Sequence, residues 1–361
     1  MIIKSLELEN FRNYKSLNIE FDKGVNILYG NNAQGKTNIL EAIYVSATTK
    51  SHKGSKDREL INFEAQEGHI KTYLDKEGLE RRVDMHLRSS KSKGIAIDTV
   101  RLKKASELLG LLNVVFFSPE DLSIIKDSPQ ERRRFVNMEL CQLDSSYLYD
   151  LNQYNKVINQ RNKLLKEAQF NPELKDMLGI WDMQLVTYGE KIIKRRISFT
   201  NQLNDILHDI HKKLSGNNEE LCMKYVPHVK ENEFEQVLKN NKEKDIKLKM
   251  TCSGPHRDDF AFISNGIDLR TYGSQGQQRT AALSLKLSEI ELVKKITGDK
   301  PVLLLDDVLS ELDSGRQNQL LDSIGDIQTI ITCTGLEEFV NARFEINKIF
   351  RVTDGTVVSE N

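Results

Sequence analysis

One short segment restricts the possible folds of this chain more than any other. Residues 30–37, GNNAQGKT, match the phosphate-loop pattern G-x-x-x-x-G-K-[ST] in full. At average residue frequencies the pattern arises by chance in about one chain in a hundred of this length. The apolar run 25-VNILY-29 precedes the loop, and apolar residues at helical spacing follow it. The segment therefore predicts a buried strand, a phosphate-binding loop and a helix.

Each residue type in this loop has a chemical role. Gly30 and Gly35 permit the tight turn whose N–H groups surround a β-phosphate, Lys36 adds charge, and Thr37 offers a hydroxyl to Mg²⁺. We therefore expect ATP and Mg²⁺ as cofactors. The predicted nucleotide-binding residues are Gly30, Asn31, Asn32, Ala33, Gln34, Gly35, Lys36, Thr37 and Asn38. A strand–turn–helix with an incidental lysine is the alternative.

A pair of aspartates forms the second motif. The run 302-VLLL-305 predicts a buried strand that ends at Asp306 and Asp307, the end at which α/β folds place their ligands. Asp306 suits coordination of Mg²⁺ together with Thr37, and Asp307 could orient an attacking water. Asp307 and Lys36 are therefore the predicted catalytic residues. Two solvated aspartates at a strand end are the alternative.

A second glycine-containing loop, 271-TYGSQGQQRT-280, runs into an amphipathic helix but has no phosphate-loop lysine. The Ser274 hydroxyl, the Gly276 N–H and the helix N-terminus could receive an anion. Taken alone, the same pattern is typical of a plain capped helix after a glycine turn. A function for this loop can be inferred only when the order of all the motifs along the chain is considered.

That order of motifs resembles the ABC ATPases, in which a signature loop closes over the γ-phosphate held by a second subunit. The resemblance implies that Ser274, Gln275, Gly276 and Gln277 contact the ATP of a partner chain. The segment 310-SELD-313 resembles the D-loop, which crosses to the partner's phosphate loop. Its residues are Ser310, Glu311, Leu312 and Asp313.

Longer phrases resemble the RecF family of bacterial recombination mediator ATPases along nearly the whole chain. They include LELENFRNYKSL (6–17), SHKGSKDRELI (51–61), FFSPEDLSIIKDSPQERRRF (116–135), GPHRDD (254–259) and GSQGQQRTAALSLKL (273–287). The resemblance implies a homodimer that forms on ATP binding, binds DNA at single-strand gaps next to duplex, and slowly hydrolyses ATP with stimulation by DNA. It also implies RecR and RecO as partners in the loading of RecA.

Several positions depart from the ABC pattern. Asp307 stands where many ABC proteins have a glutamate, which is consistent with a switch rather than a motor. The position of the switch histidine is occupied by 332-TCT-334, and 118-SPED-121 is our substitute for the Q-loop glutamine. Arg12 could reach the nucleotide, but an exposed arginine at a strand end is the default expectation.

We predict an α/β fold: an ABC-type P-loop ATPase head with an antiparallel β subdomain and an inserted α-helical lobe. Residues 68–100 alternate in short runs, as in an antiparallel meander, and the regions 130–168 and 173–214 have the apolar spacing of a helical hairpin. The predicted domains are residues 1–120 and 236–361 for the two parts of the head and 121–235 for the lobe.

The formal net charge of −1 indicates no global attraction to nucleic acid, so DNA would be held by local basic patches. Our preferred patch is the loop 50–58, with Lys50, Lys53, Lys56 and Arg58. The clusters 132-RRR-134 and 191-KIIKRR-196 are further candidates. For each cluster a solvated face is the more ordinary explanation.

The remaining composition favours an intracellular protein. Four cysteines lie far apart without metal-binding spacing, which predicts reduced thiols. The most apolar run, LLGLLNVVFF (108–117), is about half as long as a membrane helix requires, so we expect a cytoplasmic protein with no membrane partner. An ATPase subunit of an ABC transporter and an SMC-like chromosome complex are the alternatives. The segment 254-GPHRDD-259 is either a turn with local hydrogen bonds or an intersubunit element.

Overall fold

A computed structural model describes residues 1–168, 170–336 and 345–360. It divides the chain into two compact units: residues 1–121 together with 289–361, and residues 122–288. The strands are β1 (Ile2–Phe11), β2 (Tyr14–Glu20), β3 (Val25–Tyr29), β4 (Glu67–Lys76), β5 (Leu79–Arg88), β6 (Gly94–Ile97), β7 (Val100–Arg101), β8 (Val114–Phe117), β9 (Leu221–Val226), β10 (Asp259–Ser264), β11 (Ile267–Asp268), β12 (Val302–Asp306), β13 (Thr329–Cys333), β14 (Lys348–Thr353) and β15 (Thr356–Glu360). The helices are α1 (Lys36–Thr48), α2 (Leu122–Lys126), α3 (Pro129–Leu143), α4 (Ser145–Glu167), α5 (Leu178–Leu214), α6 (Phe234–Asn240), α7 (Lys242–Leu248), α8 (Leu269–Tyr272), α9 (Gln275–Thr297) and α10 (Ser314–Ile324).

A mostly parallel sheet carries the phosphate loop in the first unit. Its strand order is β15-β14-β3-β13-β12-β8, and only the β14–β15 pair is antiparallel. Every residue of β12 and β13 is buried, as expected for strands covered on both faces. Because β3, β13 and β12 are parallel neighbours, their carboxyl ends meet at one edge of the sheet.

The antiparallel subdomain is the second sheet of this unit, with the order β2-β1-β4-β5-β6-β7. Along β4 and β5 buried and more exposed residues alternate, because successive side chains of a strand point to opposite faces. Helix α1 contacts strands of both sheets, and one apolar cluster contains residues from α1 and from each sheet. The helix after the phosphate loop is therefore held on two sides.

The second unit contains the predicted helical hairpin, formed by α4 and the 37-residue α5. The region predicted as one helix from about residue 130 is broken at Asp144, whose carboxylate caps α4 by accepting from the N–H groups of Ser146 and Tyr147. Helix α5 begins at Leu178 rather than near 173, since residues 172–177 form a 3₁₀ turn.

We predicted that the inserted lobe ends at residue 235, whereas the second compact unit continues to Ser288. The reason is a strand pairing that local patterns do not show. Strand β9 pairs with β10, and β10 with β11, so residues 221–226, 259–264 and 267–268 form one three-stranded sheet. The boundary falls inside α9.

Buried arginines organise this second unit. Arg196 lies on α5 with 2% of its side chain exposed and donates to the fully buried Asp258 carboxylate at 2.6 Å. Arg132 pairs with Asp259 at 2.7 Å. The clusters 132–134 and 191–196 are therefore partly internal. The segment 254–259 contains a 3₁₀ turn over Pro255–Arg257, in which the Arg257 N–H donates to the Gly254 carbonyl at 2.9 Å, and its Asp258 is a partner in a buried ion pair. An intersubunit role for this segment stays a prediction.

No described helix combines the length and apolar character that are needed to cross a bilayer.

We expect Arg196→Met to lower the free energy of unfolding of the second unit by about 3–5 kcal/mol, because the Asp258 carboxylate then stays buried without its cation. Trp181, the single tryptophan of the chain, lies on α5 in this unit, so its fluorescence during urea denaturation reports the relevant transition. The exposed neighbour Arg257 provides the control. Arg257→Met should change stability by less than about 0.5 kcal/mol, and an equally small effect at Arg196 would contradict the prediction.

Candidate nucleotide site

The phosphate loop has the backbone conformation that its glycines predict. Gly30 and Gly35 have φ values of 153° and 112°, and Ala33 adopts the left-handed region at 65°. A Cβ on Gly30 would lie 2.3 Å from the Val352 carbonyl oxygen, and one on Gly35 would lie 2.5 Å from the Asn13 side chain. Both glycines are required by backbone conformation and by close approach.

Lys36 and Thr37 begin α1, directly after the loop. The Lys36 ammonium is almost fully buried and donates to the carbonyl oxygens of Gly30 at 2.6 Å and Asn31 at 3.0 Å. The charge of Lys36 is thus held inside the curve of the loop. The N-terminus of a 13-residue helix adds its own attraction for an anion at the same place.

The Asp306 carboxylate joins three segments of the sheet edge. Its Oδ1 accepts hydrogen bonds from the hydroxyls of Thr37 at 2.7 Å and Thr332 at 2.8 Å. Burial raises the pKa of Asp306 above its usual value and outweighs these two hydrogen bonds, which lower it. Thr37 and Asp306 are the predicted Mg²⁺ ligands, and hydroxyl and carboxylate oxygens fit that cation.

Thr332 is a site residue to which the sequence assigned no role. Its hydroxyl donates to Asp306 and accepts from the Asp307 N–H at 3.0 Å, so one side chain holds both aspartates. Asp307 itself has a left-handed φ of 50°, an uncommon conformation for a residue with a side chain. Its position in the sequence could have identified Thr332 as a site residue, because it lies in the segment where the ABC pattern has its switch histidine.

Two other predicted nucleotide-binding side chains have partners within the protein. The Gln34 side chain accepts from the Asp354 N–H, which ties the loop to the turn between β14 and β15. The Asn38 amide donates to Asn13 at 2.8 Å. Asn31, Asn32 and Ala33 are exposed at the loop tip. The backbone groups of this loop, more than its side chains, are available to a ligand.

Arg12 is neither an exposed strand end nor directed to the phosphate loop. It donates to both oxygens of Glu41 at 2.8 and 2.9 Å, to Ser55 at 2.8 Å and to the Glu59 carbonyl at 2.8 Å. Burial alone would raise the pKa of Glu41, but the hydrogen bonds from Arg12 and Ser51 outweigh it and hold the pKa below its usual value. Arg12 therefore fastens the loop after α1 to that helix.

The four predicted DNA-contact residues, Lys50, Lys53, Lys56 and Arg58, are all exposed on this fastened loop. The positive charge of Lys53 also acts on the Asp306 carboxylate and lowers its pKa, although burial dominates. The loop is therefore electrostatically linked to the phosphate site. Its role toward DNA remains a prediction.

The segment 310–313 follows the aspartate pair. Ser310 is exposed and its hydroxyl donates to the Asp307 carbonyl at 2.9 Å, while residues 309–311 form a 3₁₀ turn that ends before Leu312. The Glu311 side chain lies outside the described residues. Asp313 caps α10 by accepting from the Arg316 N–H at 3.0 Å. A helix cap explains Asp313 without a partner chain, so its D-loop role also remains a prediction. In 118–121, our Q-loop substitute, Asp121 accepts from the Ser118 N–H.

The signature-like loop lies in the second unit and begins α9. The Ser274 N–H donates to the Gln277 side chain at 2.9 Å, and the Gln277 N–H donates to the Ser274 hydroxyl at 3.2 Å. This reciprocal pair is a capping box. Ser274, Gln275 and Gly276 are exposed, and Gln277 is half-buried.

Gly276 has no steric reason within its own chain to be glycine. A Cβ placed there would have only the Ser274 hydroxyl nearby, at 3.9 Å, whereas one on Gly273 would clash with the Leu269 carbonyl at 2.6 Å. Glycine inside a helix costs roughly 0.5–1 kcal/mol relative to alanine. An exposed helical glycine of this kind is suited to close approach by a ligand or another chain.

Comparison with known proteins finds relatives that match nearly the whole chain. The profile of the family described as RecF/RecN/SMC N terminal domain matches residues 2–358. A DNA replication and repair protein RecF from Lachnoclostridium phytofermentans is 61% identical over 357 residues, which cover 99% of each chain. One from Lachnospira eligens is 61% identical over 363 residues and covers both chains fully.

Solved structures give the same result. A structure of the recombination mediator protein RecF with ATP, from the RecFOR pathway, has a TM-score of 0.93 and 37% identity and covers 99% of this chain and 97% of that one. A structure described as RecF-ATPrS has a TM-score of 0.91 and 38% identity and covers 99% and 98%. The Smc head domain of Pyrococcus furiosus, at 0.56 and 19%, with 99% and 96% covered, is similar in fold alone.

The raised pKa of Asp306 predicts a pH-dependent stability effect. At pH values above that pKa the buried carboxylate is ionised and destabilises the folded state, and the penalty disappears as the pH falls and the group takes up a proton. We expect Asp306→Asn, without Mg²⁺ or nucleotide, to raise the melting temperature at neutral pH. This increase in melting temperature should become smaller as the pH falls. Thermal denaturation across a pH series measures this difference. Asp209→Asn, at an exposed position of α5, should have no such trend; a gain that does not vary with pH would contradict the assignment.

Proposed function

We propose that this chain, which belongs to the RecF/RecN/SMC N-terminal domain family and within it to the RecF proteins, is an ATP-gated DNA clamp. In this proposal ATP joins two copies of the chain, the joined pair binds DNA at junctions between a single-strand gap and duplex, and slow hydrolysis separates the copies. RecR and RecO are the proposed protein partners in RecA loading, and the cytoplasm is the proposed location.

The observation that carries the proposal is the exposed capping box with Gly276. The loop offers a serine hydroxyl, the exposed Gly276 and a helix N-terminus, yet it lacks the lysine whose positive charge a phosphate loop uses to bind a triphosphate. Lys36 of a second copy supplies that charge. Ser274 and Gly276 then complete the cage around the γ-phosphate from outside, so that pairing depends on the nucleotide that each phosphate loop has already bound.

Each residue of the phosphate site has a separate proposed role in hydrolysis. Lys36 and the loop N–H groups bind the β- and γ-phosphates and stabilise the charge that develops during transfer. Thr37 and Asp306 would hold Mg²⁺, which neutralises phosphate charge when bound. The Thr332 hydroxyl and a left-handed φ fix the Asp307 backbone, which supports the proposed role of Asp307 in orienting the attacking water.

Two features favour a slow switch over a motor. The Asp307 side chain is one methylene shorter than the glutamate of many ABC proteins, so it holds water less closely to the phosphate. Thr332, in the segment of the switch histidine, bonds to the aspartates and offers no ionisable group to the γ-phosphate. Both features lower the rate of hydrolysis and so lengthen the life of the ATP-bound pair.

The proposed link to DNA rests on the relatives and on the loop of residues 50–58 after α1. The relatives are named for DNA replication and repair, and the similar ATP-bound structure is assigned to the RecFOR pathway. In this chain Arg12 ties the loop that carries Lys50, Lys53, Lys56 and Arg58 to the phosphate-loop helix. Nucleotide binding can therefore affect how these cations meet DNA phosphates.

The pairing predicts a specific defect. Ser274→Arg places a bulky cation where the partner's nucleotide is expected, so it should abolish ATP-dependent dimerisation and leave ATP binding by the monomer intact. Sedimentation velocity with ATP and with ADP, together with a binding assay for a fluorescent nucleotide, measures both properties. Ser89→Arg, an equal change at an exposed turn after β5, is the control. Dimerisation to the same extent with ADP would count against the clamp.

A site completed by two chains also predicts a characteristic rate law. The rate of ATP hydrolysis should rise more steeply than linearly with protein concentration below the dimerisation constant, and gapped DNA should increase it. A steady-state phosphate-release assay over a dilution series, with and without gapped DNA, tests this expectation.

A separate variant tests the stimulation of ATP hydrolysis by DNA. Changing Lys50, Lys56 and Arg58 together to glutamate should remove the stimulation by DNA and preserve the basal rate. A rate that is linear in protein and indifferent to DNA would exclude the proposed mechanism.

A further inference from the structure

The exposed face of the antiparallel sheet carries a histidine pair unrelated to the phosphate site. His69 on β4 and His86 on β5 are directly opposite in the strand register, and their rings stack with centroids 4.2 Å apart. Glu67 lies two residues before His69 on the same face, and its Oε2 is 2.6 Å from His86 Nε2. The two strands thus bring two imidazoles and one carboxylate together.

We propose that Glu67, His69 and His86 form a binding site for a divalent transition-metal ion of the zinc type. One ligand atom from each residue lies within 4.8 Å of the other two. Zinc binds imidazole nitrogen and carboxylate oxygen at about 2.0–2.2 Å, so the ligands of a tetrahedral ion are roughly 3.3 Å apart. Side-chain rotation of these partly exposed residues closes the difference, and water takes the fourth position.

The surroundings of the histidine pair suit a cation. Glu9 on β1 is opposite His69 in register and adds negative charge on the same face. On the other side His86 is opposite Gly94 of β6, and the Arg88 guanidinium lies over that glycine.

Arg88 is the competing cation. Its Nε and Nη2 lie 3.3 and 3.0 Å from His86 Nδ1, and these donors leave the ring proton on Nε2, facing Glu67. Metal binding at Nε2 replaces that proton, which moves to Nδ1, and the Arg88 guanidinium has to turn away. Arg88 therefore weakens the site, and its removal should strengthen metal binding.

The test is a Zn²⁺ titration of the full chain in competition with a chromophoric chelator, in excess Mg²⁺ to occupy oxygen-rich sites. Co²⁺ in place of Zn²⁺ reports coordination through its visible absorption. The variants are His69→Gln, His86→Gln and Arg88→Ala. His228→Gln, an exposed histidine of the second unit, and Cys222→Ser, an exposed thiol, are the controls.

The expected result is one Zn²⁺ per chain, with affinity reduced by at least about tenfold in each histidine variant. Arg88→Ala should increase the affinity, and both controls should match the unmodified chain. Circular dichroism of each variant establishes that it is folded. Absence of stoichiometric Zn²⁺ binding, or binding of unchanged affinity in both histidine variants, would overturn the proposal.

Discussion

The buried carboxylate of Asp306 is the interaction on which the nucleotide site depends. It accepts hydrogen bonds from Thr37 at the start of α1 and from Thr332 at the end of β13, so it connects the ends of neighbouring elements. Burial opposes its ionisation, and the two hydroxyls offset part of that cost. The same Thr332 hydroxyl fixes the Asp307 backbone. A displaced Asp306 would therefore disturb Thr37 and Asp307, the proposed metal ligand and the proposed residue for water, together.

The phosphate loop and the signature-like loop belong to different compact units of the chain. In its own chain the second loop is a well-formed helix start, because Ser274 and Gln277 cap each other. The capping box and an anion-binding role are compatible, since Ser274, Gln275 and Gly276 are exposed to solvent. Gly276 separates the two explanations: capping does not require a glycine there, and close approach does.

Charge patterns in the sequence proved ambiguous until tertiary partners were known. Arg132 and Arg196 lie in basic clusters that are typical of nucleic-acid patches, yet both are buried against aspartates. Arg12 was expected to be exposed and instead joins a loop to α1. The cations at Lys50, Lys53, Lys56 and Arg58 do lie exposed. Only burial distinguishes a structural arginine from one that is available to DNA phosphates.

Features that depend on neighbouring residues could be predicted from the sequence: the phosphate loop, the buried strand before Asp306, the antiparallel meander and the helical hairpin. Local backbone preference and side-chain periodicity specify these elements. The contacts of Thr332 and Arg12, the extension of the second unit to residue 288, and the pairing of His69 with His86 became evident only in the folded chain. These features join residues that are distant in sequence, and strand register and burial, which set them, are properties of the folded chain.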